Sequence, residues 1–303
     1  MTAAPWPNFF IAGAPKAGTS SLHAYLQGIP GVFMSRIKEP NYFSRVVVPP
    51  DHPVRPIRET EAYLQLFSGS EGFALVGEAS PTYLADPEAP RLIKDVSPGC
   101  RVLASLRDPV ERAYSHYLMM RNNGFTDRSF PDEIRRGFEL CAQRDIVLLR
   151  PDVGLYHDQV ARYLETFGPA QFMVLVFEEF MADPAAALRK ILAFAGVEHD
   201  IGDFRPPAYR QYAEVRGSFV RRLFGNRTVA RMSEALVPSR ARKWVRDRIL
   251  MKKAAKPRMD DEGRRLLTDY YRDDVRKLSR LLGRPLPWRN FPEVQGESAG
   301  KVA

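Results

Sequence analysis

Cysteine is scarce. Cys100 and Cys141 are the only two in 303 residues, too few for a disulfide framework and without metal-ligand spacing, so reduced thiols and no metal are expected. No apolar run reaches the roughly 20 residues that span a bilayer. The chain does not open on a basic stretch followed by an apolar one, so neither anchor nor signal peptide is expected, and a cytoplasmic location follows. Internal repeats, zinc-finger spacing, helix-turn-helix signatures and interleaved aromatic RNA motifs are all absent, which argues against nucleic acid as the partner. Negative charge is also short: 45 Lys and Arg face 36 Asp and Glu, a net charge of +9, and this calls for some other anionic partner. With 45% hydrophobic residues, the chain can bury the core of one large domain, expected over residues 1–291.

What is present begins at Phe9. The run FFIAGAPKAGTSSL places a short apolar strand before a Gly-Pro-Lys-Gly turn and then a helix that Thr19, Ser20 or Ser21 could cap. Gly13 and Gly18 permit backbone conformations in which successive N–H groups converge on an anion at the positive end of a helix. A Walker A loop places its lysine directly after the second glycine, with a hydroxyl next to it for magnesium. Here Thr19 holds that place and the lysine, Lys16, lies inside the loop. Its ammonium would sit beside a transferring group and the bridging oxygen.

A second strand, Arg101 to Leu106, ends in Arg107-Asp108 and a helix with Pro109 in its first turn and Ser115 further along. A guanidinium fork and a hydroxyl at this spacing can clamp a terminal phosphate monoester. An ion pair of Arg107 with Asp108 or Glu111 is the purely structural use of the same arginine.

Together the two segments resemble the phosphate-binding motifs of sulfotransferases that use 3'-phosphoadenosine 5'-phosphosulfate (PAPS). The resemblance implies that Lys16, Ala17, Gly18, Thr19 and Ser20 hold the 5'-phosphosulfate while Arg107 and Ser115 hold the 3'-phosphate. Three further elements resemble the heparan-sulfate branch of that family. Lys38-Glu39-Pro40-Asn41-Tyr42-Phe43 is similar to its K-E-P-x-F-F element, whose glutamate is the base. Glu78-Ala79-Ser80-Pro81-Thr82-Tyr83 is similar to its E-K-[ST]-P-x-Y element, with Ala79 where that branch usually carries lysine. Gly154-Leu155-Tyr156 with Gln159 is similar to its G-x-Y segment. The resemblance thus implies Glu39 and Lys16 as catalytic residues, with His157 and His116 as alternative bases. It implies Lys38, Tyr42, Phe43, Ser80, Tyr83, Tyr156 and Gln159 as acceptor contacts. The acceptor would be a glycan, glycolipid or secondary metabolite.

Strands expected at 8–12, 74–77, 101–106 and 172–177 alternate with helices at 19–26, 110–122, 131–144, 155–167 and 184–195. Such alternation predicts an α/β fold, a P-loop-like parallel sheet with helices on both faces. A strongly basic segment, 205–258, carries apolar residues at roughly helical spacing. It can be a docked helical layer with a solvated basic face, a lid over an anionic acceptor, or a peripheral membrane contact. At its end the resemblance implies that Lys252, Lys253 or Lys256 replaces a K-G-R loop that wraps the nucleotide. A helix through Arg264 and Leu282 follows, and 292–303 is expected to be a disordered tail. Two other classes remain at this point: a magnesium-dependent kinase or NTPase, and a non-catalytic module for polyanions or membranes.

Overall fold

The computed structural model describes residues 6–48, 55–146, 148–198, 201–202, 213–215, 251–253 and 255–295. Five parallel strands form its sheet: β1 (Phe9–Gly13), β2 (Val32–Met34), β3 (Leu75–Ala79), β4 (Arg101–Leu106) and β5 (Phe172–Val176), in the order β2-β3-β1-β4-β5. β1 pairs with β3 from Phe9–Gly77 to Ile11–Ala79 and with β4 from Phe9–Arg101 onward. The helices are α1 (Thr19–Gln27), α2 (Thr60–Leu64), α3 (Ala89–Val96), α4 (Pro109–Asn122), α5 (Phe130–Leu140), α6 (Tyr156–Phe167), α7 (Phe177–Ala182) and α8 (Pro184–Ala195). A short ribbon of β6 (Ala213–Val215) and β7 (Met251–Lys253) precedes α9 (Asp261–Leu282) and α10 (Pro292–Gln295).

The alternating side chains of a strand separate into two cores. Phe9 and Ile11 pack with Leu22, Leu26, Leu188 and Ile191 on the face covered by α1 and α8. Phe10 and Ala12 pack with Val110, Tyr163, Leu267 and Tyr271 on the face covered by α4, α6 and α9. Both faces of the sheet are covered, as the alternation predicts.

After β1 the chain runs to one side, through β2 and β3, and then crosses to β4 and β5 on the other. The crevice at the carboxyl ends of β1 and β4 is therefore the switch point, where open α/β sheets take ligands. The loop of Lys16 and the loop of Arg107 leave these two adjacent strands.

Several local expectations change. The helix expected to run to Arg144 ends at Leu140 and continues as one 3-10 turn to Gln143. The tail expected from Pro292 begins with α10, where Val294 is fully buried; 296–303 lie outside the described residues. Most of the basic segment, 205–212 and 216–250, also lies outside them, and two of its described stretches, 213–215 and 251–253, pair as the antiparallel ribbon β6–β7 rather than as helix. No described helix is long and apolar enough to cross a membrane.

Candidate active site

The loop after β1 is held from its neighbour strand. Ser105, fully buried on β4, accepts from the Ala14 amide on its carbonyl at 2.7 Å and donates its hydroxyl to the Ala17 carbonyl at 2.7 Å. Lys16 and Gly18 both adopt left-handed backbone, φ 68° and 80°. A Cβ on Gly18 would stand 2.9 Å from the Phe177 ring, so only glycine lets the loop close onto α7. Gly18 is the N-cap of α1, and no hydroxyl caps the helix, contrary to the expected role of Thr19, Ser20 or Ser21. The Ala17 amide, expected to face an anion, instead closes a turn onto Ala14 at 3.2 Å. The amides of Gly18, Thr19 and Ser20 donate to no backbone carbonyl outside the helix among the described residues, as the first amides of a helix do.

Arg107 closes on that loop. Its guanidinium donates to the Lys16 carbonyl at 3.2 Å and lies 4.8 Å over the Phe177 ring, the same ring against which Gly18 packs. Its Nε is buried without a hydrogen-bond partner among the described residues, a donor placed for an anion. Glu111 approaches Arg107 at 3.8 Å and also pairs with Lys256, whose ammonium stands 5.1 Å over Tyr114. Tyr114 donates to the carbonyls of Pro257 and Arg258, pinning this segment on α4. Of the three lysines, Lys256 thus stands at the Arg107 arm; the side chains of Lys252 and Lys253 lie outside the described residues. Ser115 is half-buried on α4.

Asp108 turns inward rather than toward Arg107. Its carboxylate caps α4 through the Val110 and Glu111 amides and accepts from the amide and side chain of Asn290. Glu178 completes this joint, accepting from the Asp108 amide and from the Trp288 indole at 3.1 Å each.

On the other side of β1, Lys38 and Glu39 form an ion pair, both partly exposed. Glu39 has φ 63° and Asn41 φ 51°. The Glu39 amide donates to Ala79 at the end of β3, which brings the K-E-P-N-Y-F turn to the carboxyl edge of the sheet. Tyr42 stacks on Tyr63 at 4.3 Å and shares a hydrogen bond with Thr60.

Five expected acceptor contacts are interior. Phe43 is 4% exposed within an aromatic cluster with Phe10, Tyr63 and Tyr83. Ser80 and Tyr83 are fully buried, and their hydroxyls donate to the fully buried Glu78 at 2.7 and 2.6 Å. Tyr156 is fully buried beside Trp288, because the start of α6 is drawn down by Asp274 of α9, which accepts the Tyr156 and His157 amides. Burial lifts that carboxyl to about 6. Gln159 is also inside, donating to the carbonyls of Asp152 and Val153. These residues support the site from within instead of lining it.

Neither histidine is placed as a base. His157 faces outward, its Nδ1 on the exposed Asp158 at 2.6 Å. His116 is buried, and desolvation first, then the charges of Arg112, Lys16 and Arg150, pushes it down to about 3. A base that weak takes up a proton poorly near neutral pH. The fully buried Arg112, which donates to the Arg150 carbonyl, was not singled out by its sequence context, nor were Phe177, Glu178 and Asn290. The signal for them is positional: Phe177 and Glu178 directly follow β5, a third strand end at the same edge.

A family model for the sulfotransferase domain matches residues 7–279. Bifunctional heparan sulfate N-deacetylase/N-sulfotransferase 4 of Mus musculus is 27% identical over 298 residues, covering 93% of this chain and 31% of the relative. Carbohydrate sulfotransferase 15 of Homo sapiens is 27% identical over 242 residues, covering 62% of this chain and 43% of the relative. The chain thus spans less than half the length of these curated relatives. A solved sulfotransferase from Alicyclobacillus acidocaldarius is 32% identical with a TM-score of 0.71, over 94% of this chain and 99% of that one. Two phosphate-type loops on adjacent strand ends, a family match over most of the sequence and a shared fold lead to one conclusion: this chain is an enzyme of the sulfotransferase family.

Proposed function

We propose that the chain transfers a sulfuryl group from PAPS to a hydroxyl or amine of an acceptor, most naturally a carbohydrate or glycoconjugate. Bound PAPS would supply an activated sulfuryl group and leave as adenosine 3',5'-bisphosphate. The amides of Gly18, Thr19 and Ser20 hold the 5'-phosphate. Arg107, with its unpartnered buried Nε, Ser115 and Lys256 hold the 3'-phosphate. The Lys16 ammonium stabilises charge gathering at the leaving oxygen, and the Glu39 carboxylate receives the acceptor proton. In-line transfer of this kind depends chiefly on alignment and on preorganised charge. One such donor contributes roughly 3 kcal/mol, on the order of a hundredfold in rate.

The observation that carries this reading is the 3.2 Å bond from Arg107 to the Lys16 carbonyl, because it joins the two anion-binding arms in one crevice. The carbohydrate acceptor is supported by the names of the relatives.

Thermal shifts with adenosine 3',5'-bisphosphate and adenosine 5'-monophosphate test the donor. The bisphosphate is expected to stabilise the protein more, and Arg107→Ala to abolish that preference. A larger, magnesium-dependent shift with ATP would instead indicate a kinase or NTPase. No nucleotide response, with salt-sensitive binding to polyanions, would indicate a binding module. Labelled PAPS incubated with glycan, glycolipid and secondary-metabolite fractions identifies the acceptor, and Glu39→Gln should keep bisphosphate affinity while losing most turnover.

A further inference from the structure

Glu78 lies in the middle of a closed hydrogen-bond path that none of the phosphate contacts uses. It is fully buried on β3, where an ionised carboxylate is expensive unless its oxygens are satisfied. Tyr83 and Tyr63 donate to one oxygen at 2.6 and 3.1 Å, and Ser80 donates to the other at 2.7 Å. Two branches lead outward to the turn of residues 38–43: the Tyr83 oxygen accepts the Phe43 amide at a long 3.4 Å, and the shorter branch runs through Ser80. With its proton committed to Glu78, the Ser80 oxygen is left to accept, and it accepts the Asn41 amide at 3.0 Å.

Asn41 in turn holds the turn that carries Glu39. Its side-chain amide donates to the Glu39 carbonyl at 2.9 Å, and its side-chain oxygen accepts from Thr82 at 2.7 Å. Glu39 and Asn41 are both non-glycine residues with positive φ, a backbone that persists only where its surroundings fix it. The fixings include the Glu39 amide on Ala79, Thr82 on Asn41, Arg58 on the Asn41 carbonyl, and Ser80 on the Asn41 amide.

We propose that Glu78 is a positioning residue: through Ser80 and Asn41, its carboxylate sets the backbone from which Glu39 works. The inference rests on the reading of Glu39 as the base. Its polarity is specific. A carboxylate forces Ser80 to donate inward and accept from Asn41, whereas a protonated carboxyl or a carboxamide can donate to Ser80 and free that hydroxyl to turn. The groups facing Glu78 are Tyr63 from α2, Ser80 and Tyr83 from the segment after β3, and the Lys38 charge from the Glu39 turn. Desolvation, opposed by the three hydroxyls and Lys38, brings its carboxyl up to about 7, so the path changes polarity within the neutral range.

The amide resonances of Glu39 and Asn41, followed by ¹⁵N–¹H NMR from pH 5 to 9, test this without any ligand. In the wild type both should titrate with a midpoint near 7. In Glu78→Gln they should be flat, and in Ser80→Ala the Asn41 response should vanish while the Tyr83 ring still reports the carboxyl. Flat Asn41 and Glu39 amides in the wild type, or a titration unaltered by Ser80→Ala, would overturn the proposal. Ser80→Ala removes a single hydroxyl and keeps the test open if Glu78→Gln does not fold. With the acceptor fraction identified by labelled PAPS, Glu78→Gln should lower kcat at least tenfold at unchanged KM for PAPS; equal losses of kcat and bisphosphate affinity would mean a merely structural role. Failure of the bisphosphate thermal shift speaks to the donor reading alone, since the amide titration needs no nucleotide.

Discussion

Gly18→Ala is the smallest change that addresses both proposed phosphate arms. The added Cβ would lie 2.9 and 3.0 Å from two carbons of Phe177 and 3.3 Å from Phe180, at a backbone φ of +80°. The left-handed backbone costs an alanine roughly 1–2 kcal/mol. Crowding a methyl into a packed site costs roughly 1–3 kcal/mol more, giving a total of about 2–5 kcal/mol. That penalty has two outlets. If the loop keeps its shape, it appears as lost stability. If the loop backs away from α7, stability is spared and the cradle of amides is displaced, so nucleotide affinity falls instead. Urea unfolding measures the first and calorimetric titration with adenosine 3',5'-bisphosphate the second, and their sum should reach at least about 2 kcal/mol. Phe177 also supports Arg107, so Phe177→Ala should relieve the crowding while weakening the other arm, and the double-mutant cycle should show a non-zero coupling. A Gly18→Ala protein equal to the wild type in both stability and affinity would refute the reasoning.

Three other outcomes are expected. Asp108→Ala removes the α4 cap, about 1 kcal/mol, and strands the side chain of Asn290, about 1–3 kcal/mol; the urea midpoint should fall at constant m. His116 titrates near 3 in the fold against about 6.5 unfolded. Its contribution is therefore whole above pH 6.5 and is lost as pH falls toward 3, up to about 5 kcal/mol. His116→Gln should flatten that part of the stability profile. Glu78 has the opposite sign: raised from 4.5 to about 7, it favours the fold below pH 4.5 and loses that contribution as pH rises through 7. At pH 8, Glu78→Gln should therefore stand up to about 3 kcal/mol better relative to wild type than it does at pH 4, as measured by urea unfolding at the two values.

The parts of the site that were legible are local ones. An apolar strand, a glycine turn and a helix start lie within Phe9–Leu22, and Arg107 and Ser115 lie on one strand-to-helix junction, so a short window contains the whole pattern. β4 runs from Arg101 to Leu106 as its apolar run predicts. β2 and α2 were not legible, because three and five residues carry too little periodicity to register and are held by pairing with β3 and by the aromatic stack under Tyr42. Motif likeness misplaced Ser80, Tyr83 and Tyr156 for a related reason. It gives the neighbourhood of a residue but not which way its side chain faces, and here that is decided by distant partners: Glu78 draws in the two hydroxyls, and Asp274 of α9 draws in the start of α6. Trp288 and Asn290 reach the Arg107 junction from nearly two hundred residues away, which no local pattern encodes.

The distribution of unfavourable backbone follows the same division. Of the four non-glycine residues with positive φ among the described residues, Lys16, Glu39 and Asn41 stand at the carboxyl edge of the sheet and only Arg144 lies elsewhere. Each of the three is fixed from a neighbouring strand end by a polar group that is itself buried: Ser105 holds the Lys16 loop from β4, while Ser80, with Glu78 behind it, holds the Glu39 turn from β3. A hydrophobic core can press elements together but cannot choose between two backbone conformations of similar volume, whereas a directional hydrogen bond can. The buried polar groups of β3 and β4 are therefore best understood as the parts of the core that specify where Lys16 and Glu39 stand, at some cost in stability. On that account Ser105→Ala should leave the sheet intact, lower the melting temperature by only a few degrees, and cost a disproportionate share of bisphosphate affinity. Thermal denaturation with and without the nucleotide measures both quantities, and a loss of stability with undiminished affinity would contradict it.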